Sequence, residues 1–195
     1  MASMEINKDI FGNAIKEKKK RKTKLEKYLT DYDNDTFKDR LARLTFINKI
    51  YPKGLILAGD MEFVFTFGEI KECYINGHFI ATIILTQSFI EKIFIEFLNS
   101  KGLNKETNHG LDRMIKYARK KSLINSVILN MVDSLRLKRN PFVHSKDFDY
   151  PHSLSRRSIN NKTFPLEQLD KDAKEAMQIL FYIMNNRLGW HLKEK

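Results

Sequence analysis

From Gly68 onward, apolar residues recur at three- and four-residue steps. Phe79/Ile80, Ile83/Ile84, Gln87, Ile90, Ile93/Phe94 and Phe97/Leu98 form one series, and Gly102 ends it. That spacing predicts a long helix with a wide apolar face, the kind buried in a bundle. Gln87 and Glu91 interrupt the face. A second helix is predicted over about 107–121, with Leu111, Met114, Ile115 and Ala118 turned inward. A third holds Leu123, Ile124, Val127, Ile128, Met131, Val132 and Leu135, and runs into Leu137-Lys138-Arg139-Asn140-Pro141. The last shows Leu166, Leu169, Ala173, Ala176/Met177, Leu180, Ile183/Met184 and Leu188. Residues 145–164 are polar and broken, which reads as an exposed loop.

The N-terminal part is less regular. Asp35 or Thr36 is a candidate cap for a helix through Phe37, Leu41, Leu44, Ile47 and Asn48 that stops before Pro52. Residues 54–59 read as a connector or buried turn. Phe63-Val64-Phe65-Thr66-Phe67 alternates with period two, yet no second strand is evident to pair with it. A lone strand is unstable, so the start of a helix is the better reading. Three or four antiparallel helices with short links make a bundle, and the fold class is all-α.

Composition supports that class. The 195 residues include only 8 Gly and 4 Pro, too few breakers for an all-β chain. The net charge of +11 favours a polyanionic partner. Over half of it lies in residues 14–28, AIKEKKKRKTKLEKY, read as a solvated helix or disordered arm ahead of a dedicated nucleic-acid grip. Cys73 is the single cysteine, so neither an internal disulfide nor a cysteine-based zinc site can form. His78, His109 and His191 lack ligand spacing, and no metal or cofactor is expected. No apolar run suits a membrane span, and a cytoplasmic protein is expected.

The candidate chemistry lies at Arg139-Asn140-Pro141-Phe142-Val143-His144. Proline removes an amide donor and disfavours helix at the residue before it, while Asn is a favoured N-cap. The helix is therefore expected to kink or restart here, with Asn140 as cap and His144 one turn inside. Guanidinium, helix N-terminus and imidazole would then surround one phosphate-sized space.

These residues resemble the signature of the HEPN superfamily: an Arg, a polar residue that is commonly Asn, and a His four to six residues beyond the Arg. The resemblance covers roughly residues 68–190. It implies an antiparallel four- to five-helix bundle, assigned to 63–195, while length and charge make 1–62 a basic N-terminal extension with helices. It also implies homodimers that juxtapose two motifs. Many members are metal-independent endoribonucleases in toxin–antitoxin, abortive-infection or CRISPR-linked defence, with an antitoxin or other defence-system partner; others have lost catalysis and bind RNA, nucleotide or protein. Toxins of the family that are silenced by adenylylation carry Tyr two residues after the His. Here that position is Lys146, which departs from that branch.

On this reading Arg139, Asn140 and His144 are catalytic. Arg136 and Lys138 are candidate backbone contacts, and Arg156 and Arg157, with His152, could touch RNA from the polar loop. Glu91 would orient Arg139 or be a satisfied polar residue of the bundle, with Gln87 beside it. Trp190 is expected to pack the C-terminal helix.

Overall fold

The protein is described by a computed structural model over residues 23–54, 59–147 and 149–186. The basic run at 14–22, part of the 54–59 connector, Leu188, Trp190 and His191 lie outside those residues. Among the described residues there are seven α-helices, one 3-10 turn at Glu106–Asn108 and no strand. The helices are α1 Lys24–Ile50, α2 Met61–Ile75, α3 Phe79–Ser100, α4 Leu111–Lys120, α5 Ser126–Val143, α6 Leu154–Asn161 and α7 Pro165–Asn185. None of them is long and apolar enough to cross a membrane. The chain divides into two units, Met1–Phe37 and Lys38–Lys195, with the boundary inside α1.

In the first unit, neither Asp35 nor Thr36 starts a helix. The start is a capping box twelve residues or more upstream: Thr23 Oγ1 accepts from the Glu26 amide at 3.2 Å, and Glu26 Oε2 accepts from the Thr23 amide at 2.6 Å. With its first amides satisfied there, the helix runs through Thr36, whose hydroxyl donates to the Tyr32 carbonyl at 2.8 Å.

The second unit is a helical bundle built around α3. Ile83, Phe89, Ile90, Ile93, Phe94 and Leu98 of α3 are buried, and α2, α4, α5 and α7 pack on it. The Phe63–Phe67 segment is helical, as its unpaired alternation suggested. Asp60 caps it by accepting from the Phe63 amide at 2.7 Å. Phe63 and Phe67, one helical turn apart, both reach the core, and the Phe63 ring stacks on Phe89 with centroids 4.1 Å apart.

Two expectations fail in physically readable ways. The polar stretch 145–164 is not all loop. Ser153 Oγ accepts from the Arg156 amide at 3.2 Å and starts α6, and Lys162, in the left-handed region at φ 51°, closes it. Nor does the third helix restart at Asn140. α5 continues through Pro141, and the His144 amide donates to the Asn140 carbonyl at 3.0 Å to complete the last turn. The ring sits where only the Leu137 carbonyl loses a donor, and packing of α5 against α3, α4 and α7 outweighs that loss.

Candidate functional site

A cleft of ≈ 360 Å³ is lined by Gln87, Glu91, Gly110, Leu111, Asp112, Arg136, Arg139, Asn140 and His144. Three elements build it. Gln87 and Glu91 stand one turn apart on α3, which explains the polar break in its apolar face. Arg136, Arg139 and Asn140 follow at three- and four-residue steps on α5, and His144 is the residue that ends α5. The opening turn of α4 closes the third side.

Each charged group in the cleft has a definable state. Arg136 donates to Asp133 through Nε at 2.9 Å and Nη2 at 2.7 Å, and Nη2 also lies 3.2 Å from Asp112. The Asp112 carboxyl is held below its usual range by the Lys116 hydrogen bond and, after that, by the charges of Arg136, Lys116 and Arg113. Glu91 Oε1 accepts from the Leu111 amide at 3.2 Å. Glycine at the N-cap of α4 has no side chain to offer, so a carboxylate from α3 takes that amide instead. The contact answers the alternative posed for Glu91: its observed hydrogen bond is to α4, not to Arg139.

Arg139 differs from its neighbours. It makes no hydrogen bond or ion pair among the described residues, and its Nε is buried. Gln87 is 3% exposed, and its Oε1 is likewise buried without a partner. The side chains of Asn140 and His144 are also unbonded, and His144 is exposed. A guanidinium whose Nε is buried without a protein acceptor is an arrangement that an anionic ligand can complete.

The expected helix N-terminus does not come from α5. His144 lies at the C-terminal end of that helix, where the dipole is negative. The amides near the cleft belong instead to the first turn of α4, and one of them is taken by Glu91.

Of the nine residues singled out in the sequence, Arg139, Asn140, His144, Arg136, Glu91 and Gln87 line this cleft. Lys138, Arg156 and Arg157 do not. Lys138 bonds Glu175 at 2.5 Å and lies 3.9 Å from Asp172. Arg157, read as a loop cation able to touch RNA, is buried on α6: it pairs with Asp172 and donates to the His152 carbonyl at 3.0 Å. Arg156 is exposed on α6. Sequence reasoning missed Asp112, Asp133 and the first turn of α4. The Gly-Leu-Asp start at 110–112 was the available signal, since Asp favours the first turn of a helix.

Cys73 is half-buried on α2, and burial with the charges of Glu69 and Glu72 pushes its thiol up, away from the reactive thiolate. No cluster of three metal-ligating side chains occurs among the described residues. No protein-family model, curated protein or solved structure matches this chain.

Proposed function

We propose that the cleft is half of the active site of a metal-independent endoribonuclease of HEPN type, acting as a homodimer on RNA in the cytoplasm. A defence or toxin–antitoxin setting, with an antitoxin as further partner, follows from the family resemblance. The observation that carries the reading is the unengaged Arg139 guanidinium in one cleft with Asn140 and His144.

Cleavage without metal uses the substrate's own 2′-OH as nucleophile. The 2′-oxygen bonds to phosphorus as its proton passes to a base, and the bond from phosphorus to the 5′-oxygen breaks as an acid protonates that oxygen. The products are a 2′,3′-cyclic phosphate and a 5′-OH end. An unperturbed imidazole titrates near pH ~6.5 and serves either role at neutral pH. One chain supplies a single imidazole at the motif, so His144 of two chains, facing one phosphate, would divide the roles. Arg139 would clamp the non-bridging oxygens and offset the charge that builds on the phosphorane. Asn140 would orient the phosphate.

Arg139→Ala and His144→Ala should each lower the cleavage rate of a labelled RNA by about 10²-fold or more, with helical circular dichroism unchanged. Chelator should leave the wild-type rate intact. Cleavage that survives both substitutions rules out this site.

A second reading draws on Glu91 and Asp112, whose carboxylates share the cleft and oppose phosphate entry. It is a catalytically silent HEPN scaffold that binds RNA, nucleotide or a protein partner there. It requires salt-sensitive binding, weakened by Arg139→Ala, with no products formed.

A further inference from the structure

The outward face of α4 is strongly basic. Leu111, Met114, Ile115 and Ala118 turn into the core. Arg113, Lys116, Arg119 and Lys120 fall on the other side of the helix, within an arc of about 120°. All four are exposed, and Lys121, also exposed, follows at the C-cap. Between Gly110 and Val132 the single acid is Asp112, which accepts from Lys116 at 2.8 Å and lies 3.2 Å from Arg136.

Neighbouring elements bring little free negative charge to this face. Asp133 of α5 is held by Arg136, and Glu91 of α3 by the Leu111 amide. Glu96 of α3 feels the charge of Asp60 at the start of α2. Glu106, half-buried in the 3-10 turn, has exposed Lys105 beside it. Arg119 donates to the neutral Asn130 side chain at 2.9 Å, and Lys120 and Lys121 make no ion pair among the described residues. The residues outside the described ones carry ten cations and four acids, so the rest of the chain does not supply a neutralising cover.

α4 also joins two hollows. Its first turn lines the cleft that holds Arg139. At its other end, Arg119 lines a hollow of ≈ 400 Å³ with Ser122, Asn125 and Ser126. Ten residues of helix set the two about 15 Å apart.

We infer that this face of α4 is a track for one RNA strand, carrying the phosphates next to the scissile one from the cleft to the hollow at Arg119. The inference rests on the reading of the cleft as an RNA site and extends it to the flanking nucleotides. A single row of cations fits one backbone rather than two. α4 exposes no large apolar residue, so it has nothing to sink into a lipid surface.

Binding of labelled single-stranded RNA to the full-length His144→Ala chain tests the track without turnover. A ten-nucleotide RNA should bind at least about tenfold tighter than a dinucleotide, which occupies the cleft alone. Arg119→Gln with Lys120→Gln should weaken the longer RNA by roughly ten- to thirtyfold at about 0.1 M salt. It should also flatten the salt dependence by about 1.4 in slope, as the loss of two phosphate contacts requires. Dinucleotide binding should not change. Lys162→Gln with Lys171→Gln, which removes the same charge from other exposed positions, should leave the slope as it was. Equal affinity for the two lengths, or equal losses from both double substitutions, overturns the inference, because charge would then act without a track. So does a chain on which Arg119 and Lys120 bind anionic phospholipid vesicles and not RNA. The wild type separates this inference from the nuclease reading. The binding pattern above with no product formed sinks the nuclease and leaves the track, whereas equal kcat/KM on dinucleotide and long RNA sinks the track and leaves the nuclease.

Discussion

Two adjacent cations on α5 meet opposite fates. Lys138 reaches Glu175 and Asp172 on α7, whereas Arg139, turned about 100° around the helix axis, finds no protein acceptor. Arg136, one turn earlier, is held by Asp133 and Asp112. Of these three basic side chains only Arg139, the first residue of the motif, is left open to a ligand. Arg157 extends the contrast: its pair with Asp172 is buried, and Gln168 adds a bond to the same carboxylate at 3.1 Å. Removing one member of a buried pair strands the other, which costs about 3–5 kcal/mol. Arg157→Ala should therefore lower the urea midpoint sharply, while Arg156→Ala, on the exposed side of the same helix, should stay within about 0.5 kcal/mol. Equal, small losses for both would refute the structural role assigned to Arg157.

At the scale of elements, Pro141 sets the end of α5. Its ring leaves the Leu137 carbonyl without its usual donor, just before the chain turns extended at His144. Pro141→Ala should restore that bond and raise stability by about 1 kcal/mol, while moving His144 relative to Arg139 and slowing cleavage. Higher thermal stability with an unchanged rate would show that the proline does not position the imidazole. Local chemistry alone pointed the other way at this spot, because propensity at Asn140-Pro141 favours a break and only the packing of α5 against three neighbours overrides it. The long apolar periodicities of α3, α5 and α7 were legible because burial on one face demands them. α6 was not, since its eight residues bury Arg157 and Ser158 rather than a hydrophobic stripe. The start of α1 was written plainly as Thr23 and Glu26 three residues apart, but it lay inside a lysine-rich run that read equally as a solvated helix or a disordered arm. The cleft was half legible. Arg139, Asn140 and His144 share one helix end, so sequence placed them together; Gly110 and Asp112 reach the cleft only through the packing of α4.

For the molecule as a whole, the question is how many chains make one catalytic centre. The described cleft holds one imidazole, and the proposed chemistry needs both a base and an acid at a single phosphate. A chain that worked alone would ignore the presence of inactive copies. If two chains share the centre, a wild-type chain paired with His144→Ala lacks one proton-transfer group, and its activity falls with the single variant. Mixing wild type with about a tenfold excess of His144→Ala, after time for subunit exchange, leaves roughly one wild-type chain in ten with a wild-type partner. Cleavage per wild-type chain should then drop by about tenfold. Undiminished cleavage in that mixture would mean that each chain carries a complete centre, and a second proton-transfer group would have to be sought within the same cleft, where Glu91 and Asp112 are the carboxylates at hand.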